Sequence, residues 1–425
     1  MPARPEVLTV AHVAHTVERG GAELALARLL GSPCRDWDAR LVLPRPGDAD
    51  ASGGADRDPD PDAGAFAGLE ARGVHVIRAG SPQRPGASRA TPWAAVRFAA
   101  SLVRQALAIR RSGAFRGAHV VHANSTRAAV YAALALTGTR APLVVHLRDR
   151  GEPEAMGRIG FLAFRRTAVR RAAGFIANSA STAGTVRPFL RRGQFVEVVP
   201  SPIGMPVADP GPGRSGSEAA GAPVRIGMVA RLDPWKGQEE LIRAYAAAGV
   251  DDRATLTLVG GPAFGHAEHE RRLRALAAEL GLRNVTFAGH RDDVRERIDA
   301  LDVCVQYSTR AEPLGQNVLQ YLARGRAVIA AAEGGPAEWI ADGVNGLLVA
   351  PRNVDALAGA LRRLVDDASL REALAAAAPA TEGLMDDCAV ARRHAEVFER
   401  AVFERGVVER GVVERGAARR GAGRH

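Results

Sequence analysis

The chain has 425 residues, a formal net charge of +10 at pH 7 and a pI of about 10.6. That length exceeds one ordinary domain and fits two, and contents of 47% hydrophobic and 24% charged residues are typical of globular proteins. No run approaches the ~20 uninterrupted apolar residues of a membrane span. The basic charge favours anionic partners, but an arginine-rich solvated surface explains much of it.

Short β-like runs alternate with helical patterns throughout the chain, which predicts α/β domains whose parallel sheets are covered on both faces. In the first half we predict strands at 7–13, 40–43, 74–77, 119–122, 143–146, 174–177 and 196–199. Helical patterns lie between them, for example at 22–30, 93–111, 126–137 and 159–171. The second half repeats the rhythm, with strands predicted at 225–230, 255–259, 285–287, 303–306, 327–330 and 346–349.

Two segments interrupt this rhythm. Residues 44–63 are rich in Asp, Gly and Pro and are predicted to form a disordered surface loop, whose proline-spaced acids at 58, 60 and 62 are not expected to hold a metal. Residues 207–223 are dominated by Pro, Gly and Ser and lie between the two arrays. We therefore predict a domain at 1–206, a linker at 207–223 and a domain at 224–392, with hinges at residues 200–206 and in the linker.

The carboxyl-terminal segment has a five-residue repeat of the type Phe-Glu-Arg-Gly from residue 398 onward. This period fits neither a helix face nor a strand, and the repeated glycine weakens a helix. We predict that 393–425 contains the end of a helix followed by a flexible basic tail from residue 405, solvated and without a partner.

The three cysteines, Cys34, Cys304 and Cys388, stand far apart in the sequence. Their spacing predicts neither a metal site nor a disulfide framework and indicates a reducing compartment. The first residues lead directly into an apolar strand and lack the uncharged segment of a signal peptide. Both observations predict a cytoplasmic protein.

The most informative motif is Glu312-Pro-Leu-Gly315-Gln316, which follows the strand predicted at 303–306 and opens a helix. Ligands of open α/β sheets bind at the carboxyl ends of strands. A helix N-terminus offers free N–H groups to a diphosphate, and Gly315 permits close approach of the backbone. Glu312 is placed to accept hydrogen bonds from sugar hydroxyls.

A second motif places Arg231 and Lys236 between a strand and a helix. A guanidinium can bind two phosphate oxygens at once and an ammonium adds a point charge. Fixed cations of this kind neutralise a leaving diphosphate without a metal ion. A weaker third motif is Gly20-Gly21, which opens a helix after the first strand and is equally explained by a tight turn.

These motifs, in this order, resemble family 4 of the retaining glycosyltransferases. Other matching pieces include Asn178-Ser179, Ser308, Gly334-Gly335-Pro-Ala-Glu338 and Asn345-Gly346. The resemblance covers the chain to about residue 390 and implies the GT-B fold, with two Rossmann-like domains facing across a cleft. It also implies an acceptor-binding amino-terminal domain and a carboxyl-terminal domain that binds a nucleotide sugar as co-substrate, with no cofactor and no metal.

The resemblance also assigns roles to single residues. Arg231 and Lys236 match residues that hold the donor pyrophosphate, and Glu312 matches the first acid of a glutamate pair and contacts the donor sugar. The second acid is replaced by Gln320, which is expected to bind the ribose. The remaining donor residues implied by the match are Gly20, Gly21, His290, Arg291, Pro313, Leu314, Gly315 and Gln316.

In the amino-terminal domain the family often carries a histidine at the end of a strand, where this chain reads Val-Val-His146-Leu-Arg148. Either residue can take that place, and His146 is equally a packed strand residue or a catalytic group. Arg148 and His15 are candidate acceptor ligands, and His12 also lies near the glycine pair.

Residues 158–171 form a basic amphipathic stretch. We expect a helix packed on the sheet with its arginines outward, in preference to a patch that contacts an acidic membrane surface. Nucleic-acid binding is not expected, since aromatic and basic residues do not alternate.

Together these observations predict transfer of a hexose or amino-hexose from a nucleotide-diphosphate sugar, UDP-GlcNAc for example, to a hydroxyl or amine acceptor. A nucleotide-sugar epimerase and a non-catalytic sugar-nucleotide-binding protein are the alternatives that the sequence leaves open.

Overall fold

The structure is a computed structural model that describes residues 7–18, 20–45, 64–81, 92–208, 222–262 and 267–421. Residues 46–63 of the predicted loop at 44–63 and residues 209–221 of the predicted linker lie outside these residues. The chain divides into two compact units, residues 1–202 with 387–425, and residues 203–386.

The first unit is built on a seven-stranded parallel sheet with strand order β3-β2-β1-β4-β5-β6-β7. Its central strands are buried on both faces, which explains why they read as continuous apolar runs. The strands are β1 Thr9–Val13, β2 Asp38–Leu43, β3 Val74–Arg78, β4 Val120–Ala123, β5 Leu143–Leu147, β6 Gly174–Ala177 and β7 Phe195–Val198.

In the described part of this unit, five α-helices connect the strands, and a sixth joins them from the other end of the chain. Ser125 and Ser179 cap α3 and α5 by accepting backbone N–H bonds three residues ahead. The helices are α1 Gly21–Leu30, α2 Pro92–Arg111, α3 Thr126–Ala135, α4 Pro153–Phe164 with a π-helical continuation Arg165–Val169, and α5 Ala180–Val186.

The second unit has a six-stranded parallel sheet with order β10-β9-β8-β11-β12-β13. Its strands are β8 Val224–Val229, β9 Ala254–Val259, β10 Val285–Gly289, β11 Val303–Gln306, β12 Ala327–Ala331 and β13 Leu347–Val349. Its helices are α6 Gln238–Ala248, α7 Ala267–Glu279, α8 Val294–Asp299, α9 Gln316–Ala323, α10 Pro336–Trp339, α11 Val354–Asp366 and α12 Ala368–Ala377.

All thirteen predicted strands are confirmed, and their ends move by at most two residues. The predicted helix at 159–171 is preceded by a helical turn that starts at Pro153, and a kink at Gly157, where φ is +74°, separates the two. None of the helices in the described part of the chain is long and apolar enough to cross a membrane.

The last helix, α13 Asp387–Gly421, corrects two predictions. Residues from 387 onward belong to the first unit, whereas we predicted that the second domain continues to 392. The backbone is helical to Gly421, whereas we predicted that the helix ends before residue 405. Once a helix is nucleated, each added residue costs little, and the ion pair of Arg400 with Glu404 supports this extension.

A disulfide bond between Cys34 and Cys388 corrects a third prediction. The two residues are 354 positions apart in the sequence, and they meet because α13 packs on α1, β4 and β5. Cys304 is a free, buried thiol in β11. The inference from cysteine spacing to a reducing compartment therefore loses its basis.

Candidate active site

Each sheet has one point where the strand order reverses, and some of the predicted site residues follow the strands on either side of it. In the second unit this point lies between β8 and β11, whose carboxyl ends lead to Arg231 with Lys236 and to Glu312. In the first unit it lies between β1 and β4, which lead to His15 and Asn124. Crevices at such points are where open α/β sheets bind ligands.

In the second unit the structure brings Lys236 and Glu312 into direct contact. The ammonium of Lys236 donates to both carboxylate oxygens, at 2.9 Å to Oε1 and 2.7 Å to Oε2. Their side chains are 16% and 12% exposed, so the pair is largely shielded from water but still accessible. An ion pair so placed fixes the direction of both side chains.

A second set of hydrogen bonds, from buried residues of the same unit, holds the Glu312 carboxylate. The Ser308 hydroxyl donates to Glu312 Oε2 at 2.7 Å, and Gln306 Nε2 donates to Ser308 Oγ at 2.9 Å. Ser308 and Gln306 are both buried. Sequence analysis identified Ser308 only as part of the family match. It did not indicate a role for Gln306, because this residue ends a buried strand.

Gly237 joins the Lys236 turn to the neighbouring strand. Its φ is +82°, and a Cβ at this position would lie 1.8 Å from the carbonyl oxygen of Tyr307. Thr309 N–H donates to the Trp235 carbonyl at 2.8 Å. The turn after β8 is therefore pressed against the loop after β11, and this close packing brings Lys236 to Glu312.

Gly315 is the N-cap of α9 in the left-handed conformation, with φ +75°. A Cβ there would lie 2.8 Å from Pro336 Cγ, so α10 packs closely on this turn. Glu312 also forms a parallel bridge with Gly334, and Gly335 N–H donates to the Glu312 carbonyl at 2.8 Å. The N-terminus of α9 and Glu312 thus share one rigid loop.

The other predicted donor residues of this unit take different positions. Arg231 is half-buried after β8, and its carbonyl accepts a bond from Gln238 at 2.8 Å. His290 and Arg291 follow β10 and are exposed. Pro313 and Gln316 are half-buried, whereas the Leu314 side chain packs in the apolar core at 5% exposure, which leaves only its backbone for a ligand.

Gln320 is 8% exposed, and its Nε2 donates to the carbonyl oxygen of Ile203 at 2.9 Å. Ile203 is the first residue of the second unit. The amide therefore has a structural partner that the sequence did not indicate, because the two residues are 117 positions apart.

Trp235 is a feature that sequence analysis missed. Lys236 Nζ lies 4.0 Å and Arg310 Cζ 4.1 Å from its ring centroid. Both distances fall within the range of cation–π attraction. The indole thus helps to hold the Lys236 ammonium in place beside Glu312.

In the first unit, His15 lies near the start of α1. Its Nδ1 is 3.1 Å from Ser125 Oγ and 3.8 Å from Glu23 Oε1. Burial, and then the charge of Arg127, lowers the pKa of His15 to about 4, so the imidazole is neutral at pH 7. A neutral imidazole is a competent hydrogen-bond partner for a hydroxyl.

Gly20 is the N-cap of α1, and a Cβ there would lie 2.4 Å from Glu23 Oε2. Gly21 has open space where a side chain would begin. Both belong to the first unit, and the other predicted donor residues belong to the second.

Arg148 follows β5 and is held by neutral partners. Its Nε and Nη2 donate to Asn124 Oδ1 at 3.0 and 2.9 Å, and Nη1 donates to Ser201 Oγ at 2.7 Å. Burial lowers the pKa of Arg148 to about 9, and the charge of Glu23 opposes that shift. The guanidinium remains charged at pH 7. Asn124 and Ser201 were not predicted, although Asn124 directly follows β4 and Ser201 lies three residues after the end of β7.

His146 is fully buried in β5, so a catalytic His146 is contradicted. Its Nδ1 is 3.3 Å from His122 Nε2, and its ring packs against His394 of α13. His12 is buried in the same cluster. Arg148 lies at the carboxyl edge of the sheet instead, because β5 ends at Leu147 and Arg148 is the first residue after it.

Two family models match the chain. Residues 10–202 match a glycosyl transferase 4-like domain, and residues 214–381 match glycosyl transferases group 1. The chain belongs to glycosyltransferase family 4. Together the two matches correspond to the two sheets described above.

Curated relatives of this family-4 member share part of its length. A D-inositol 3-phosphate glycosyltransferase of Stackebrandtia nassauensis is 33% identical over 248 residues, which are 55% of this chain and 55% of that protein. The lipopolysaccharide core biosynthesis glycosyltransferase LpsE of Rhizobium meliloti is 39% identical over 113 residues, 26% of this chain and 33% of LpsE. The chain therefore spans about half or less of the relatives it matches.

Solved structures share the fold over nearly the whole chain. Anabaena Alr3699/HepE in complex with UDP-glucose is 25% identical, covers 92% of this chain and 99% of that chain, and has a TM-score of 0.72. The sucrose-phosphate synthase of Thermosynechococcus elongatus is 20% identical, with a TM-score of 0.68 and coverage of 92% and 98%. The predicted GT-B class of two Rossmann-like domains is confirmed.

Proposed function

We propose that this chain transfers a hexose or amino-hexose from a nucleotide-diphosphate sugar to a hydroxyl or amine acceptor. The observation that carries the proposal is the contact of Lys236 with Glu312 on the loop that opens α9. Family membership supports the reaction class.

In this proposal Lys236 binds the donor diphosphate. An ammonium has three N–H donors, and the bonds to Glu312 engage two of them. The third can donate to a phosphate oxygen, together with Arg231 and the backbone N–H groups at the N-terminus of α9. These fixed positive groups stabilise the charge that develops on the leaving diphosphate.

Glu312 in turn accepts hydrogen bonds from hydroxyls of the donor sugar. Its carboxylate is held by Ser308 and Lys236, so the sugar is oriented by a group that does not need to reorganise. As the C1–oxygen bond to the diphosphate breaks, the acceptor oxygen bonds to C1 and its proton passes to the leaving phosphate. This step retains the anomeric configuration and uses no metal ion.

The proposed donor is a uridine diphosphate sugar, either UDP-GlcNAc or UDP-glucose. The similarity to a protein solved with UDP-glucose supports this choice. Gln320 Nε2 donates to the carbonyl oxygen of Ile203. The side-chain oxygen of Gln320 can therefore accept a hydrogen bond from a ribose hydroxyl. His290 and Arg291 are proposed to flank the base.

The acceptor is proposed to bind at the carboxyl edge of the first sheet, near Arg148 and His15. A charged guanidinium held by neutral partners favours an acceptor that carries an anionic group. Because similar proteins are named D-inositol 3-phosphate glycosyltransferases, this polyol phosphate is included among the acceptors to be tested.

The experiment is a thermal-shift panel of UDP-, GDP-, ADP- and dTDP-sugars, followed by transfer assays with polyol phosphates and glycan acceptors. We expect one nucleotide class to stabilise the chain. Lys236→Ala and Glu312→Ala should each lower kcat/KM by about 10²-fold or more while the chain stays folded. Glu270→Gln, which breaks an exposed ion pair on α7, is the matched control.

Two further measurements test the mechanism. Proton NMR of the product reports whether the anomeric configuration is retained, and turnover should persist in excess EDTA. Transfer at the wild-type rate by both active-site variants would place the reaction elsewhere on the chain.

A further inference from the structure

Helix α4 and its π-helical continuation present apolar side chains to solvent on the same side as arginines. Ile159 is 39% and Leu162 is 47% exposed, and Arg158, Arg165 and Arg166 are exposed beside them. The spacing i, i+1, i+4, i+7, i+8 places these five residues on one side of a helix. We call them the arginine–aliphatic face.

This face is not a by-product of packing on the sheet. The residues of the same helical segment that pack inward are Phe164, Ala168 and Val169. Met156 and Ala163 are partly buried against the same core. The sequence led us to expect apolar residues inside and arginines outside, and Ile159 and Leu162 depart from that expectation. Leaving two large aliphatic side chains in water is unfavourable by about 1 to 2 kcal/mol each relative to burial.

The charge of the face is one-sided. Among the described residues, none of its three arginines forms an ion pair, whereas the nearby Glu152 pairs with Arg150. The acid in the first turn, Glu154, is separated from the face by a kink at Gly157, where φ is +74°.

A neighbouring segment extends the surface with the same composition. Arg165 Cζ lies 4.1 Å from the ring centroid of Phe189, and the Phe161 and Phe189 rings are 5.9 Å apart. Phe189 is flanked by the exposed Arg187, Arg191 and Arg192. Cationic and apolar side chains therefore continue beyond α4 on the same unit.

We propose that the arginine–aliphatic face docks on the surface of a bilayer that contains anionic lipid. A helix with aliphatic and basic residues on its outer side lies in the interfacial plane, where its apolar atoms enter the acyl boundary and its guanidinium groups bind lipid phosphates. Nucleic acid would satisfy the arginines but would leave Ile159 and Leu162 in water, because the phosphate backbone offers no apolar partner.

The test is co-sedimentation of the full chain with vesicles of phosphatidylcholine alone or mixed with phosphatidylglycerol, at low and high salt. We expect binding to the mixed vesicles only, weakened by salt. Arg158→Gln with Arg166→Gln should lower the partition coefficient about fivefold per arginine. Ile159→Ser with Leu162→Ser should lower it about tenfold or more.

Matched controls are available on the second unit. Leu280 and Val344 are 38% and 61% exposed, and their replacement by serine removes similar apolar surface. Arg271→Gln with Arg272→Gln removes two arginines that are 70% and 71% exposed. Both control pairs should sediment with vesicles as the wild type does, and circular dichroism should show that every variant is folded.

Three outcomes would overturn the proposal: equal binding to neutral and mixed vesicles, wild-type binding by the serine pair at 159 and 162, or equal loss in the controls. Heparin is included as a lipid-free polyanion. Suppose that heparin abolishes vesicle binding and that the serine pair at 159 and 162 binds vesicles as the wild type does. The face would then bind polyanions and not a bilayer. No sugar nucleotide is present, so the result is independent of the proposed reaction.

Discussion

At the scale of single residues, the site depends on close contact between the backbones of two loops, the turn after β8 and the loop after β11. Lys236 reaches Glu312 because Gly237 lets the turn after β8 lie against the Tyr307 carbonyl. The sequence predicted the roles of Lys236 and Glu312 separately, from motifs 76 positions apart. It gave no means of predicting that they touch, because that contact depends on how β8 and β11 pair.

Gly237→Ala should destabilise the second unit more than Gly281→Ala does. Both glycines have a positive φ, so both variants carry the strain of about 1 to 2 kcal/mol that an L-residue suffers there. Only at Gly237 does the added Cβ meet another atom, 1.8 Å away. We expect at least about 2 kcal/mol of additional loss by urea unfolding, together with lost transfer activity. Equal losses would contradict this packing.

At the scale of elements, the docking of α13 completes a buried histidine cluster in the first unit. Trp37 Nε1 donates to His12 Nε2 at 3.0 Å, His12 Nδ1 lies 2.9 Å from His122 Nδ1, and His122 Nε2 lies 3.3 Å from His146 Nδ1. Because Trp37 can only donate, one neutral tautomer of each ring satisfies these three hydrogen bonds, and Nε2 of His146 is left buried without a hydrogen-bond partner among the described residues. His394 of α13 stacks on His146 at its end.

The charges that face these rings are cationic. They come from Arg35 before β2 and from Arg148 after β5, while Glu23 on α1 acts on Arg148. Burial first, and then the neighbouring charges, lowers the pKa of His12, His122 and His146 well below 6.5. Burial lowers the pKa of His394 to about 3.

Stability of the first unit should therefore fall on acidification. The folded pKa values lie below the unfolded value, so the unfolded chain binds more protons as the pH drops below about 6.5. For each buried histidine, the free energy of unfolding should fall by about 1.4 kcal/mol between about pH 7.5 and 5.5. Above pH 7.5 it should not change further. Native-state hydrogen exchange of β4 and β5 measures this dependence.

His394→Leu removes one of these groups and keeps an apolar side chain against His146. The pH-dependent loss of stability should shrink by about 1.4 kcal/mol, whatever the variant costs at neutral pH. His75→Asn, at an exposed position of β3, is the control and should leave the dependence unchanged. An identical pH profile for His394→Leu and wild type would show that the ring is not held neutral.

At the scale of the whole molecule, the Cys34–Cys388 bond fixes the segment that returns from the second unit to the first. Residue 387 is where the chain rejoins the first unit, and the bond lies one residue further on. A cross-link over so long a loop restricts the unfolded chain strongly, and its loss is expected to cost about 2 to 5 kcal/mol.

Thiol titration in denaturant should find one free thiol per oxidised chain and three after reduction by a dithiol. Cys34→Ser with Cys388→Ser should lower the protection of the first unit in hydrogen exchange and leave the second unit unchanged. Cys304→Ala, in the core of the second unit, should do the reverse. Three titratable thiols without reductant would contradict the bond.

The sequence alone determined the two arrays of strands and helices and the loops that carry the donor motif. Strands that are buried on both faces must be apolar throughout, and helices need polar outer faces, so both are visible locally. The tertiary structure decided what distant segments do when they meet: the burial of His146, the partner of Gln320, the disulfide, and the return of α13 to the first unit. Those outcomes depend on contacts across more than a hundred residues, which no local pattern encodes.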